Sequence, residues 1–317
     1  MNSLISICIA TYNGEKYLKE QLDSLVNQTI PPYEVILQDD CSTDNTVEIA
    51  KQYRDKLKLK IYVNESNLGF TKNFESVLQK ATGDFIAPCD QDDIWEAGKL
   101  EKLSGFIGDY SLVYANSLLV NSEAESLHQT LSQKLKNNFI DSRSALNFIF
   151  DNSVSAHSML FKKELLGYIF PFPTITYFDA YITAVAASLH GVVFWDESLV
   201  LYRQHSTNAL AKKKKQKLSL FVKIKNKLQK KYDANQRLVA QVDEFLSIQT
   251  INQNDHQILV ELKSHLELFE KCWFNFRLFN LYFSNRNNFF AISTRSKFIM
   301  ALKKSIGYKL YKVAPFL

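Results

Sequence analysis

Residues 4–48 read LISICIATYNGEKYLKEQLDSLVNQTIPPYEVILQDDCSTDNTVE, and the change of period within this stretch decides the fold class. Leu4–Ala10 is a short apolar run rich in β-branched side chains, a buried strand by length and content. Asn13-Gly14 breaks it. Leu18, Leu22, Leu25 and Val26 then fall at i, i+4, i+7 and i+8, one face of a helix. Tyr33–Gln38 is a second strand that runs into Asp39-Asp40. Ser42-Thr43-Asp44-Asn45 supplies candidate caps, and Glu48 three after Asn45 predicts a capping box. The rhythm repeats downstream. Leu59–Val63 and Asp84–Cys89 read as strands, Leu112–Val120 as an extended segment. Phe74, Val77, Leu78 and Ala81 mark one helix, and Leu100–Ile107 another. Strand–helix alternation at this spacing predicts an α/β fold, a mostly parallel sheet with helices on both faces. Ligands of such sheets sit outside the carboxyl ends of the strands, so the residues just after each strand carry the information.

The 317 residues are 46% hydrophobic and 22% charged, which excludes wholesale disorder. With 23 Phe and 15 Tyr the chain can bury an aromatic core, and only 9 Gly and 6 Pro exclude collagen-like or low-complexity classes. Cys8, Cys41, Cys89 and Cys272 show no C-x-x-C pairing and read as a reduced set rather than a disulfide framework. No basic n-region opens the chain, and no apolar run reaches the ~18 residues of a spanning helix. These features predict a cytoplasmic chain without a transmembrane segment. Charge divides it: residues 206–317 carry 21 Lys and Arg against 7 Asp and Glu, a balance of +14, whereas 1–205 carry 17 against 26, a balance of −9. An acidic front and a basic back predict two units with different partners.

The post-strand residues of the front unit are Thr11-Tyr12-Asn13, Asp39-Asp40, Asn64–Gly69 and Asp90-Gln91-Asp92-Asp93. Neither G-x-G-x-x-G nor G-x-x-x-x-G-K-[ST] occurs, which excludes the dinucleotide and P-loop readings. G-x-S-x-G and H-E-x-x-H are absent too. Three carboxylates in four residues cannot all ionise cheaply side by side, since each raises the pKa of the others. A divalent cation with oxygen ligands, Mg²⁺ or Mn²⁺, is the natural compensation, and it commonly fills its shell with phosphate oxygens. The other reading of the run is a solvated loop that caps the next helix.

SICIATYNGEKYLKEQLDSLVNQT, LQDDCSTDNT, NESNLGFTKNFESVLQKATGDFIAPCDQDDIW and VFWDESLVLYRQH together resemble family 2 glycosyltransferases of the GT-A fold. The resemblance covers roughly residues 3–208 in unbroken order and is nearest to bacterial polysaccharide and rhamnosyl-type transferases. It implies a GT-A, Rossmann-like sheet over 1–208 that binds the nucleotide sugar and performs catalysis. Residues 209–317 then form a basic, aromatic-rich helical C-terminal region. By the resemblance, Ala10, Thr11, Tyr12 and Asn13 line the nucleotide pocket with Glu15 close by, and Asp39 hydrogen-bonds the pyrimidine ring. Asn67 to Asn73 lies beside the nucleoside, Asn73 either there or as a helix cap. Asp90 faces the ribose, with Gln91 beside it in the donor site, and Asp92 is the metal ligand, with Asp93 able to exchange roles with it.

Phe178-Asp179 precedes a helical stretch, Ala180–Leu189, that Gly191 closes as a C′ residue. The resemblance makes Asp179 the base against the acceptor hydroxyl, the alternative being a cap at the helix dipole. Val192–Trp195 and Leu199–Tyr202 read as two strands. After them Arg203 either faces the phosphate or pairs with an acidic surface, and His205 completes the metal shell or contacts the diphosphate. His128, His157, His190, His256 and His265 lack ligand spacing and are expected to be structural. The implied activity is metal-dependent, inverting transfer of one sugar from a nucleotide-sugar donor, of dTDP-rhamnose or UDP-hexose type. The saccharide acceptor is a cell-surface polysaccharide or its lipid-linked precursor. Absence of the processive Q-x-x-R-W signature favours single addition. The alternative is a catalytically weak, sugar-nucleotide-binding partner subunit. In the back unit, Lys212–Lys215 and the mixed Lys/aromatic stretch Phe298–Leu317 predict contact with an anionic membrane surface, peripheral on the inner face of the cell membrane. Packing within the chain or in a homodimer is the other reading, and no nucleic acid partner is expected.

Overall fold

The computed structural model describes residues 4–205, 220–307 and 309. Its elements in chain order are β1 (Ile5–Thr11), α1 (Leu18–Val26), β2 (Glu34–Asp39), α2 (Thr46–Lys51), α3 (Arg54–Leu57), β3 (Leu59–Val63), α4 (Phe70–Leu78) and β4 (Phe85–Cys89). There follow β5 (Ile94–Trp95), α5 (Lys99–Phe106), β6 (Leu112–Val120), β7 (Ser126–Thr130), α6 (Leu131–Leu135), β8 (Met159–Lys162), α7 (Phe178–Leu189) and β9 (Val192–Arg203). Helices α8 (Leu220–Leu246), α9 (Gln253–Leu266), α10 (Phe276–Ser284), α11 (Arg286–Phe289) and α12 (Lys297–Lys304) complete the described chain.

One sheet orders the strands β3-β2-β1-β4-β8-β6-β9-β5, with β7 paired to β6. The first four strands are parallel, as the alternation predicts. Beyond β4 the sheet is mixed. The four-residue β8 enters antiparallel between β4 and β6, β9 runs parallel to β6, and β5 lies antiparallel on β9. Side chains alternate between two cores. Ile5, Ile7 and Ile9 of β1 meet Leu18, Leu22 and Leu25 of α1 on one face. Cys8, Ala10 and Ile36 meet Phe74 and Val77 of α4 on the other. Period-2 burial on both sides is why these strands read as near-continuous apolar runs. The second core continues through Ile182 and Val185 of α7 into Phe245, Leu259, Leu262, Leu281 and Phe290. The basic C-terminal helices therefore pack on the same apolar layer as α4 and α7.

Several local expectations change. The two strands 192–195 and 199–202 are one strand, β9, whose register against β6 shifts after Trp195 so that residues 196–197 bulge out of the ladder. No capping box forms at Asn45. That residue precedes α2 but its side chain makes no cap, and Asp44 Oδ1 instead accepts from Thr46 N at 3.0 Å. Gly191 does close α7, at φ 100°, donating to Ala186 O at 2.8 Å. All four cysteines carry thiols. Among the described residues no helix is long and apolar enough to cross a membrane. Lys212–Lys215 lie outside the described residues.

Far from the carboxyl ends of the strands, Glu34 bolts the start of β2 in place. Its carboxylate accepts from Ser6 Oγ, Thr82 N, Thr82 Oγ1 and Lys60 Nζ at 2.7–2.8 Å. Burial pushes this carboxyl up, but the Lys60, Thr82 and Ser6 bonds outweigh it and hold the group at about 2. A depressed carboxyl pKa adds stability that is present above the unfolded value and lost as pH falls through the folded one. Glu34→Gln is therefore expected to cost about 1–3 kcal/mol at pH 7 in denaturant melts. The gap to the parent should narrow from pH 4.5 downward and close near pH 2.

Candidate active site

The polar residues after β1 and β2 first satisfy one another. Thr11 Oγ1 donates to Asp39 Oδ1 at 2.7 Å, and Ser42 donates to the same carboxylate through N and Oγ. Asp40 accepts from Asn64 Nδ2 and from the N–H groups of Leu68 and Gly69, which shapes the 64–69 loop; Asn67 Oδ1 also accepts from Gly69 N. Asn73 is no cap. It is buried in mid-α4 and donates to Gln38 O and Thr11 O, tying the two strand ends together. Asn13 takes the left-handed conformation, φ 46°, because its N–H reaches Ser42 Oγ while its Oδ1 receives Thr43 N. Glu15 accepts from Asn45 N and Nδ2, fixing the entrance to α2. The Ala10 side chain packs in the second core.

Gln91 binds the first loop to the fourth. Its amide accepts from Tyr12 N at 2.9 Å and donates to Tyr12 O at 3.1 Å. A Cβ on Gly14 would lie 2.3 Å from Gln91 Oε1, so any side chain there would push the Gln91 amide off Tyr12. Beside this contact lies a cleft of about 390 Å³, lined by Asn13, Tyr17, Gln91, Asp92, Ser122 and His205 among others. The Tyr12 ring stands half-exposed.

The acidic run splits in two directions. Asp92 meets His205, Oδ2 to Nε2 at 2.8 Å, at the cleft wall, and the imidazole packs on Tyr17 at 4.9 Å. Asp93 turns inward. It is fully buried, its Oδ1 accepts from Arg203 N at 3.0 Å, and its Oδ2 has no hydrogen-bond partner. His157 Nδ1 lies 3.5 Å from Asp90 Oδ2 and 3.6 Å from Asp93 Oδ2, and the ring's Nε2 contacts Ser117 Oγ at 3.0 Å. Asp90, Asp93 and His157 form the one cluster of three metal-ligand types among the described residues. Asp92, Asp93 and His205 do not gather into a single ligand set.

His157, expected to be structural, is thus central, and no spacing in its neighbourhood signals it. Burial pushes the Asp93 and Asp92 carboxyls above the ordinary range, with the neighbouring carboxylates adding to the shift. For His157 burial works downward, yet Asp93 and Asp90 outweigh it and hold the imidazole pKa up. Below them Lys99 is buried, its ammonium 3.1 Å over the Trp95 ring and donating to His157 O at 2.5 Å. Burial lowers its pKa to about 7 against the pull of Cys89, Asp93 and Asp90. Two sets of oxygen and imidazole ligands of the kind a divalent cation prefers are present: the orphaned buried Asp93 oxygen with Asp90 and His157, and Asp92 with His205 at the cleft wall.

Arg203 does not face the cleft. Fully buried, it donates to Asp92 O, Ser122 O and Glu20 Oε2 at 2.7–2.9 Å and lies 4.7 Å over the Tyr17 ring. The pairing of β5 with β9 brings this about, since it sets Ile94 opposite Leu201 and so the acidic run beside residues 203–205.

Asp179 sits in the first turn of α7, with Tyr177 at the N-cap position and making no side-chain cap. Its Oδ1 accepts from Ala180 N at 2.7 Å. Burial pushes its carboxyl up to about 6, with Asp90 raising it further and His157 opposing. The loop before it is strapped from two sides. Glu75 of α4 accepts from Phe172 N, and Glu244 of α8 accepts from Thr174, Ile175 and Thr176 N–H at 2.8–2.9 Å. Glu244 carries no sequence signal. Removing its charge should loosen this strap: in Glu244→Gln, amide exchange at Thr174–Thr176 is expected to rise at least tenfold, about 1.4 kcal/mol, with β1 amides unchanged.

Known proteins share this architecture. The family model described as glycosyl transferase family 2 matches residues 6–169. The poly(ribitol-phosphate) beta-N-acetylglucosaminyltransferase TarS of Staphylococcus aureus is 40% identical over 108 residues, 33% of this chain and 19% of TarS. That match spans about a fifth of the relative's length. The uncharacterized glycosyltransferase MJ1057 of Methanocaldococcus jannaschii is 30% identical over 233 residues, 70% of this chain and 78% of its own. In fold, the chain is similar to the crystal structure of S. aureus TarS 1–349 in complex with UDP-GlcNAc, with a TM-score of 0.59 at 19% identity, over 98% of this chain and 92% of that one. A GT-A sheet, an acidic run at its carboxyl edge and a family match over the first half of the sequence agree: the chain belongs to glycosyl transferase family 2.

Proposed function

We propose that this chain is a glycosyltransferase that moves one sugar from a nucleotide-sugar donor to a saccharide acceptor with inversion. The observation that carries the reading is the acidic run at the end of β4, whose Asp92 lines the cleft, together with the Asp179 carboxyl at the start of α7. Asp92 lines the cleft together with His205, and Asp179 lies close enough to Asp90 and His157 for their charges to act on it. A nucleoside diphosphate in the cleft would meet Asn13, Tyr12 and Gln91 on one side. Asp39, already engaged by Thr11 and Ser42, would read the pyrimidine through its remaining acceptor capacity. Asp90 would take the ribose hydroxyls.

Asp92 and His205 would hold Mg²⁺ or Mn²⁺, which when bound neutralises charge developing on the leaving diphosphate. Asp93, inward-facing, serves with His157 and Lys99 to set the field beneath. Asp179 accepts the proton of the attacking acceptor hydroxyl, and a carboxyl near 6 is largely ionised at neutral pH while still basic enough to take it. The acceptor we favour is a cell-surface polysaccharide or its lipid-linked precursor, and the donor is of dTDP-rhamnose or UDP-hexose type.

Asp179→Asn is expected to lower transfer by about 10²–10⁴-fold while nucleotide binding persists. In the parent, kcat/KM should rise with pH through about 6 as the base ionises, an acid limb absent from the variant. Unchanged turnover with weakened donor binding would instead move Asp179 into the donor site. Donor binding without transfer across a broad acceptor panel would favour the partner-subunit reading. For the ion, Mn²⁺ titration of donor-bound protein should lose its response in Asp92→Asn and His205→Ala and keep it in Asp93→Asn. The opposite result would give the ion to Asp90, Asp93 and His157.

A further inference from the structure

The C-terminal helices turn an apolar side to solvent although each already has one side in the core. Leu278, Leu281 and Tyr282 of α10 and Ala301 of α12 are buried. On their other sides Phe276 is 73% exposed, Phe298 51%, Ile299 50% and Leu302 40%, and Trp273, just before α10, is 54% exposed. Ring contacts of Phe298 with Phe279 at 5.8 Å and with Phe283 at 6.0 Å merge the two helices' outer sides into one patch. A contiguous exposed apolar surface of this kind marks a docking site rather than a core.

Along the chain, the segment that carries it has charge of one sign. Residues 271–317 hold nine Lys and Arg and no Asp or Glu. Lys271, Arg277, Arg295, Lys303 and Lys309 are exposed. We propose that this face docks on an anionic lipid bilayer. The aromatic and aliphatic side chains enter the headgroup region, and the surrounding cations meet lipid phosphates. A Trp at the rim suits that boundary, where one end of the ring is apolar and the other wet. Symmetric pairing with a second copy fits less well, because it would press two acid-free cationic segments together. Nucleic acid would use the cations but leave the apolar side chains in water. Lipid docking needs neither donor, acceptor nor metal, so this inference and the transfer reading stand or fall separately.

The test uses the full chain with phosphatidylglycerol-containing vesicles and with pure phosphatidylcholine vesicles. Trp95 is buried and Trp195 partly so, which leaves Trp273 as the main exposed reporter. Its emission should shift to the blue with anionic vesicles only, with co-sedimentation that weakens at high salt. Phe276→Ser/Ile299→Ser/Leu302→Ser should reduce vesicle partitioning at least tenfold without changing the far-ultraviolet circular dichroism. If the triple variant does not fold, Phe276→Ser alone, the most exposed position, should still reduce it about threefold. No binding by the parent, or equal binding by parent and variant, overturns the proposal. So does a concentration-dependent dimer that the triple variant abolishes while vesicles are ignored, which would assign the face to a second copy.

Discussion

Three carboxylates in four residues at the end of a doubly covered strand repel one another in a place where water cannot fully screen them, and the neighbouring elements are arranged around that repulsion. Asp93, with no exposed surface, is met by the Arg203 N–H and by the edge of His157. Lys99, held on the Trp95 ring and the His157 carbonyl, adds a buried amine from below whose charged form burial disfavours. Asp92 turns the other way, to His205 at the cleft wall. The compensating groups come from three places in the chain: Lys99 from α5, His157 from the turn before β8, and Arg203 with His205 from the end of β9. The short β8 inserted between β4 and β6, and β5 added at the edge on β9, are what bring these groups together.

The same region is braced by the helices that the charge split sets apart from the front of the chain. Glu244 of α8 gathers three successive amides of the loop that leads into Asp179, and Arg237 of the same helix donates to Ile175 O at 3.2 Å. A carboxylate that accepts three N–H groups fixes a backbone path more firmly than packing alone, because leaving those amides unpaired is costly. The helix bearing Asp179 is thereby positioned by residues on both sides of it in sequence, Glu75 through Phe172 and Glu244 through the next turn. With α8 and α9 sharing the core of α4 and α7, the C-terminal helices contribute to the site's geometry as well as to the surface.

Local periodicity was sufficient for the alternating strands and helices of the first half, because both faces of β1, β2 and β4 are buried and the apolar pattern is dense there. It also located the polar turns after those strands, since in such a sheet they follow the last apolar residue directly. The site residues drawn from the family resemblance at Asn13, Gln91, Asp92 and His205 do line one cleft. Short or irregular pieces left no such trace. The four-residue β8 and two-residue β5 are below the length at which a period can be read. A bulge made two expected strands into one.

What only the tertiary structure decided is which charged groups meet. Asp93 and Arg203 are 110 residues apart, and Glu244 and Ile175 are 69 apart. Nothing along the chain marks Lys99, and His157 lacks ligand spacing, yet the fold buries both beside the acidic run. The sequence alone determined the α/β rhythm, the acidic cluster and the basic, acid-free C-terminal segment, all properties of neighbours along the chain. Partner choice depends on desolvation and distance in space. A carboxylate run specifies that some cation must come, while the sheet's order of strands specifies which one does.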